Sequence, residues 1–214
     1  YYNPICTSVY LGDTVTGDSF PLRRGTQTDS YGYPAISGSK VVWLRHRDVD
    51  TANQTRYAEA VYDICGADVT DRANPVYFTI AEEVGRGMPY PHDNYTEAHE
   101  GFVDICGNLV VWEADGDIYG ADISDLSDIK VFAICTAPER QYDPSVSGNL
   151  VVWTDERNDI GDIYGADVSD PEDVREFEVW VGGGWQLQPS IDGSTIVYLE
   201  GDNWSGNIRT CCVT

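Results

Sequence analysis

The sequence predicts an all-β chain: a small β-propeller of about four blades, each of four antiparallel strands, with a composite blade formed from both termini. Three observations carry that expectation. One phrase recurs four times, at 34–43, 103–112, 144–153 and 189–198, and ends on Trp43, Trp112, Trp153 and Tyr198. A second phrase, Asp-Ile-x-Gly-Ala-Asp, follows the first three copies at 63–68, 117–122 and 162–167. Trp112 to Trp153 is 41 residues and Trp153 to Tyr198 is 45, the length of a four-stranded blade. No helical period of 3.6 residues competes.

The elements follow in chain order within a single domain, 1–214. Residues 1–31 offer two strands, Ile5–Leu11 and Asp18–Leu22, for a composite or exchanged blade. Blade 1 occupies 32–85 and sets the pattern for the rest. Its first strand is the Pro-x-Ile-Ser segment, closed by a glycine turn where positive φ is cheap. Its second is the Val-Val-Trp run, β-branched and aromatic. Its third is the Asp-Ile-x-Gly-Ala-Asp segment, and its fourth a short alternating run at Val76–Ile80. Trp43 to Trp112 is 69 residues, and the excess lies in Arg45–Glu59 and Glu82–Glu100, with 86–101 read as an inserted loop. Insertions in repeat proteins map to surface loops and carry function often. Blade 2 occupies 102–141 and blade 3 occupies 142–186, with outer strands at Val131–Ile134 and Phe177–Val181. Residues 187–214 give two strands and a third at Asn207–Val213. The composite blade then has two candidates for its third strand. A surplus strand either pairs within the chain or is exchanged with a neighbouring subunit.

The run Asp143-Pro-Ser-Val-Ser-Gly-Asn-Leu-Val-Val-Trp153-Thr-Asp155-Glu-Arg157, continuing to Asp162-Ile-Tyr-Gly-Ala-Asp167, resembles the TolB-like β-propeller repeat. The resemblance covers about 32–200 and is tightest over 102–181. It implies a fold common in secreted and cell-surface proteins of archaea and bacteria. It implies no single activity, because such propellers serve as binding platforms, surface-layer parts and accessory domains of enzymes. The family often has six blades, and this chain is short for that.

Composition excludes several classes. With 36 acidic against 13 basic side chains the formal charge is −23, which argues against general nucleic-acid binding and against docking on anionic lipid. No apolar run of about 18 residues is present to span a membrane. Six cysteines occur, without a CxxC pair or a histidine at zinc spacing. The even count, the sequons at Asn53, Asn94 and Asn203, and a start without Met point together to a secreted, glycosylated protein. Cys6, Cys65, Cys106, Cys135, Cys211 and Cys212 are the disulfide candidates. Cys65 takes the place of a repeat tyrosine and Cys106 that of a serine, which suggests a Cys65–Cys106 bridge. Cys6 with Cys211 or Cys212 would lock the composite blade. Buried free thiols are the alternative.

Calcium is the expected cofactor. Asp115 and Asp117, with Asp155, Asp159 and Asp162, place oxygens in turns between second and third strands, as hard cations require. The competing reading is that aspartate caps tight turns without metal. No nucleophile elbow, P-loop or dinucleotide fingerprint occurs. Glu82, Glu83 and Glu113 break the repeat but sit in no motif. The leading expectation is therefore a non-enzymatic extracellular structural or adhesive protein that self-associates, into filaments or a surface layer. Its interface candidates are Ile5, Val9 and Leu11 of the terminal strand and Tyr90 and Tyr95 of the inserted loop. The alternative is a carbohydrate-binding module, with Tyr90, Tyr95, Trp185 and Trp204 stacking on glycans. A carboxylate-based glycosidase or polysaccharide lyase ranks lower.

Overall fold

The computed structural model describes residues 7–26, 28–48, 60–87, 103–202 and 205–212, all as strands, turns and loops without a helix. Contacts divide the chain into two compact units, Tyr1–Ala98 and His99–Thr214.

The first unit holds a hairpin and one four-stranded sheet. Strands β1 (Val9–Gly12) and β2 (Ser19–Arg23) pair antiparallel. Asp13 Oδ1 closes the turn between them by accepting the amides of Val15 and Thr16, at 2.8 and 3.0 Å. Strands β3 (Asp29–Ser37), β4 (Lys40–Asp48), β5 (Ala60–Asp68) and β6 (Val76–Gly87) form an antiparallel meander in chain order. Val9 and Leu22 of the hairpin bury themselves with Val41, Trp43, Cys65, Ala67 and Val69 of that sheet.

The second unit holds three sheets. Strands β7 (Val103–Cys106), β8 (Leu109–Ala114), β9 (Asp117–Asp122) and β10 (Lys130–Cys135) make one meander. Strands β11 (Gln141–Ser147), β12 (Leu150–Asp155), β13 (Asp162–Asp167) and β14 (Arg175–Trp180) make the next. Strands β15 (Trp185–Asp192), β16 (Thr195–Asp202) and β17 (Ser205–Cys212) make a sheet of three. The sheets stack face to face. Val151, Trp153, Tyr164 and Ala166 meet Val111, Ile118 and Ile134 of the sheet before. Val152 and Ile163, pointing the other way by the two-residue period, meet Ile191, Ile196 and Tyr198 of the sheet after. The Val-Val-Trp run is apolar without alternation because both its faces are covered.

The glycine of the second phrase has a steric cause. Gly66, Gly120 and Gly165 lie opposite Phe78, Phe132 and Phe177 on the fourth strands. A Cβ at these glycines would fall 2.6, 2.9 and 2.7 Å from the facing ring. The repeated aspartates are turn caps: Asp68, Asp122 and Asp167 each accept the amide two residues on, at 2.8, 2.8 and 2.9 Å.

The terminal strands lie in separate sheets, β1–β2 in the first unit and β15–β17 in the second. β17 pairs with β16 from Thr195↔Cys212 to Asp202↔Ser205 and takes the third-strand position. The hairpin buries Val9 and Leu22 with Trp43.

Candidate functional site

The richest polar cluster lies at one end of the second unit, where β12 runs out and β13 begins. Asp155 and Asp162 face each other in register there, and both are fully buried. Asp155 accepts the indole N–H of Trp153 at 2.8 Å and the amide of Arg157 at 2.9 Å. The Arg157 guanidinium grips the same carboxylate with Nε at 2.9 Å and Nη2 at 2.6 Å. That guanidinium lies 4.2 Å over the Tyr164 ring and reaches Glu176 at 3.0 Å. Asp162 accepts from the Asn158 side chain at 3.0 Å and from the amide of Gly182 at 3.1 Å. Asp159 accepts the amide of Gly161 at 3.2 Å. Asp115 and Asp117 fall on another turn, between β8 and β9, where Asp115 takes φ 53°. The five aspartates proposed as calcium ligands thus divide between two turns. Among the described residues no three His, Cys, Asp or Glu side chains come together in a metal-ligating group. At the β12–β13 turn, Asp155 is paired with Arg157.

Glu113, at the end of β8, is a buried carboxyl whose titration is shifted far upward. It is 8 % exposed, and its Oε1 is 3.5 Å from Arg140 while Oε2 has no partner among the described residues. Burial pushes its pKa up to about 7, against the opposing pull of Arg140. Tyr142 nearby is pushed up by burial and by Glu156. A folded-state pKa above the unfolded value of 4.5 means that the folded chain holds more protons between about pH 4.5 and 7. Stability from this group is full below that window and is lost as pH rises through it. Glu113→Gln is expected to remove that fall, which is on the order of 3 kcal/mol for a shift of this size. Urea midpoints of both proteins from pH 4.5 to 8 check it; parallel curves would refute the assignment.

One recurrent device escaped the sequence reading. Tyr33, Asp143 and Gln188 occupy equivalent places on β3, β11 and β15, each just before a proline, at φ 52°, 54° and 54°. Each marks a bulge in the pairing of its strand. The signal was the proline itself, which repeats at a fixed offset before the glycine turn. The start of each later sheet also hooks onto the one before: the amide of Gln141 donates to Gly116 O at 2.7 Å, and that of Gln186 to Gly161 O at 2.8 Å.

The remaining candidates are placed as follows. Ile5, Cys6, Asn53, Tyr90, Asn94, Tyr95, Asn203 and Trp204 lie outside the described residues. Val9 is buried in the first unit, Leu11 is half-buried beside it, and Trp185 is half-buried on β15. Glu82 and Glu83 are exposed on β6, and the Glu83 amide donates to Asp63 Oδ1 at 3.0 Å. Cys65, Cys106, Cys135, Cys211 and Cys212 are free thiols among the described residues. Cys65 packs among Val41, Trp43 and Ala67, where burial pushes its thiol up to about 11. Cys106 instead accepts the amide of Gly148 at 3.2 Å. Cys135 is buried and pushed up to about 12. Cys211 and Cys212 are neighbours on β17, the first half-buried and the second exposed.

β17 is itself a notable surface. It is the outer strand of a sheet of three, where the three meanders each have four. Ile208 on it is 76 % exposed, and Val197 beside it is 40 % exposed. Thr210 faces Val197, the place held by Gly66, Gly120 and Gly165 opposite Val42, Val111 and Val152. A fourth strand of repeat type, with phenylalanine over that position, has no room there.

No protein-family model matches the sequence, and no curated protein matches it. Solved structures do match its fold. TolB from Acinetobacter baumannii is 13% identical with a TM-score of 0.55, over 96% of this chain and 46% of that one. A structure from a study of two prolyl endopeptidases is 12% identical with a TM-score of 0.61, over 98% of this chain and 31% of that one. The chain spans less than half the length of either. These likenesses show the fold: a TolB-like β-propeller.

Proposed function

We propose that the chain is a non-catalytic, extracellular propeller protein that self-associates through the open edge of β17. The observation that carries this reading is the sheet of three in which, among the described residues, no strand pairs with β17 beside Ile208, Thr210 and Cys212. An exposed strand edge presents a row of amides and carbonyls that a second strand can satisfy. A second copy's β17, laid antiparallel, makes a twofold contact in which residue i of one copy meets residue j of the other and j meets i. Val9 is buried and β1 is paired with β2, which supports β17 as the edge offered. A filament or surface layer adds a second, non-identical contact to this one. The sequons and the acidic surface support an extracellular setting.

Sedimentation velocity at low and high salt tests the contact. Copies that each carry −23 repel one another, so salt is expected to tighten association. Ile208→Lys, at an exposed site, is expected to leave a monomer with an unchanged melting temperature. A wild-type protein that stays monomeric at both salt concentrations would remove the reading. Negative-stain imaging of the unreduced protein then separates dimers from filaments.

A further inference from the structure

The first unit departs from the repeat at three positions that fall in one place. Trp112 and Trp153 face tyrosines across their sheets, Tyr119 and Tyr164, whereas Trp43 faces Cys65. Two residues past the tryptophan stand Ala114 and Asp155 in the other sheets and Arg45 here. At the head of the first strand, Gln141 and Gln186 are matched by Tyr31. Replacing a tyrosine ring by a thiol leaves space, and a cavity of about 420 Å³ occupies it. Arg23, Tyr31, Trp43, Arg45, Tyr77 and Thr79 line it.

The unanswered groups of this cavity are donors. The Trp43 indole N–H is buried, with the residue 1 % exposed, and has no acceptor among the described residues. In the β11–β14 sheet the equivalent N–H is answered by Asp155. Arg23 is held 3.8 Å over the Tyr77 ring, and Tyr77 is pinned in turn by its hydroxyl to Leu22 O at 2.9 Å. No carboxylate pairs with Arg23 among the described residues, in a chain with 36 acidic groups. Arg45 beside it is paired with Asp29, with Nη2 at 2.7 Å, and with Asp63, with Nη1 at 3.7 Å. The guanidinium of Arg23 calls for an oxygen-rich anion, and aromatic walls suit the face of a sugar ring.

We propose that this cavity binds an acidic sugar, a uronate unit within a disaccharide-sized ligand, with its carboxylate on Arg23 and its ring face against Tyr31 and Tyr77. The site is independent of β17 and of self-association.

Titration calorimetry with digalacturonate, neutral digalactose and inorganic phosphate tests it on the whole chain. Digalacturonate is expected to bind, and to weaken as salt rises. Arg23→Ala, at an exposed side chain, is expected to weaken it by about tenfold or more. Cys65→Tyr restores the repeat residue and is expected to abolish binding by filling the cavity. Thermal melts confirm that each variant is folded; should Cys65→Tyr not fold, Arg23→Ala decides. The proposal is overturned if digalacturonate does not bind, if digalactose or phosphate binds as well, or if folded Arg23→Ala or Cys65→Tyr binds like the wild type.

Discussion

Replacing Asp155 by alanine is expected to destabilise the chain by about 3 kcal/mol, because it strands a partly buried guanidinium. Four donor contacts converge on this one carboxylate: the Trp153 indole, the Arg157 amide, and two guanidinium nitrogens. They are not equal. The Trp112 indole has no acceptor in its own sheet, and that sheet still forms. The greater part of the loss is therefore the charge of Arg157 left with Glu176 alone, on a side chain that is 22 % exposed and cannot fully escape to water. Removing both members should hurt less than removing Asp155 alone. Urea unfolding of Asp155→Ala and of Asp155→Ala with Arg157→Met checks this. A double variant less stable than the single one would show that the pair is not what the site depends on.

Alanine at the repeat glycines is expected to give a ranked series. At Gly66 the added methyl meets the Phe78 ring at 2.6 Å and the Val41 carbonyl oxygen at 2.8 Å. At Gly165 it meets Phe177 at 2.7 Å and the Val151 carbonyl at 3.0 Å. At Gly120 the nearest atoms are all side chain, on Phe132 and Ile134, from 2.9 Å. Backbone cannot yield as a ring can, so Gly66→Ala and Gly165→Ala should each cost about 2 kcal/mol or more, and Gly120→Ala distinctly less. Melting temperatures of the three variants test the order. A Gly120→Ala variant that proved the worst of the three would mean that ring displacement, not backbone contact, sets the penalty.

Much of this architecture was readable beforehand. The repeated phrases placed the strands of the three meanders, because strand, glycine turn and Val-Val-Trp run recur in the same order. Even the hairpin strands were anticipated as segments, and β17 as a candidate third strand beside β16. The place of the hairpin on the first sheet was not. A short strand such as Val9–Gly12 carries no mark of which edge it will join, and the choice is decided by burial on Trp43. The acidic turn, with Asp155, Asp159 and Asp162 close in sequence, could be read as a cation site or as turn caps. Sequence does not show that Arg157 folds back onto Asp155. Cys65 was noticed as a departure from the repeat but read for its sulfur. What matters in the fold is the ring it lacks.

Thr210 bears on how such a chain changes over generations. Repeat proteins gain and lose units by duplication, and a copied unit must find a neighbour able to receive it. Each meander couples a glycine on its third strand to a phenylalanine on its fourth, so the two are inherited as one compatible pair. The three-stranded sheet has lost its half of that pair. A duplicated outer strand could not settle on β17 until Thr210 reverted to glycine, which makes this sheet resistant to completion by copying. The same threonine leaves the edge free to acquire a partner by a route other than duplication.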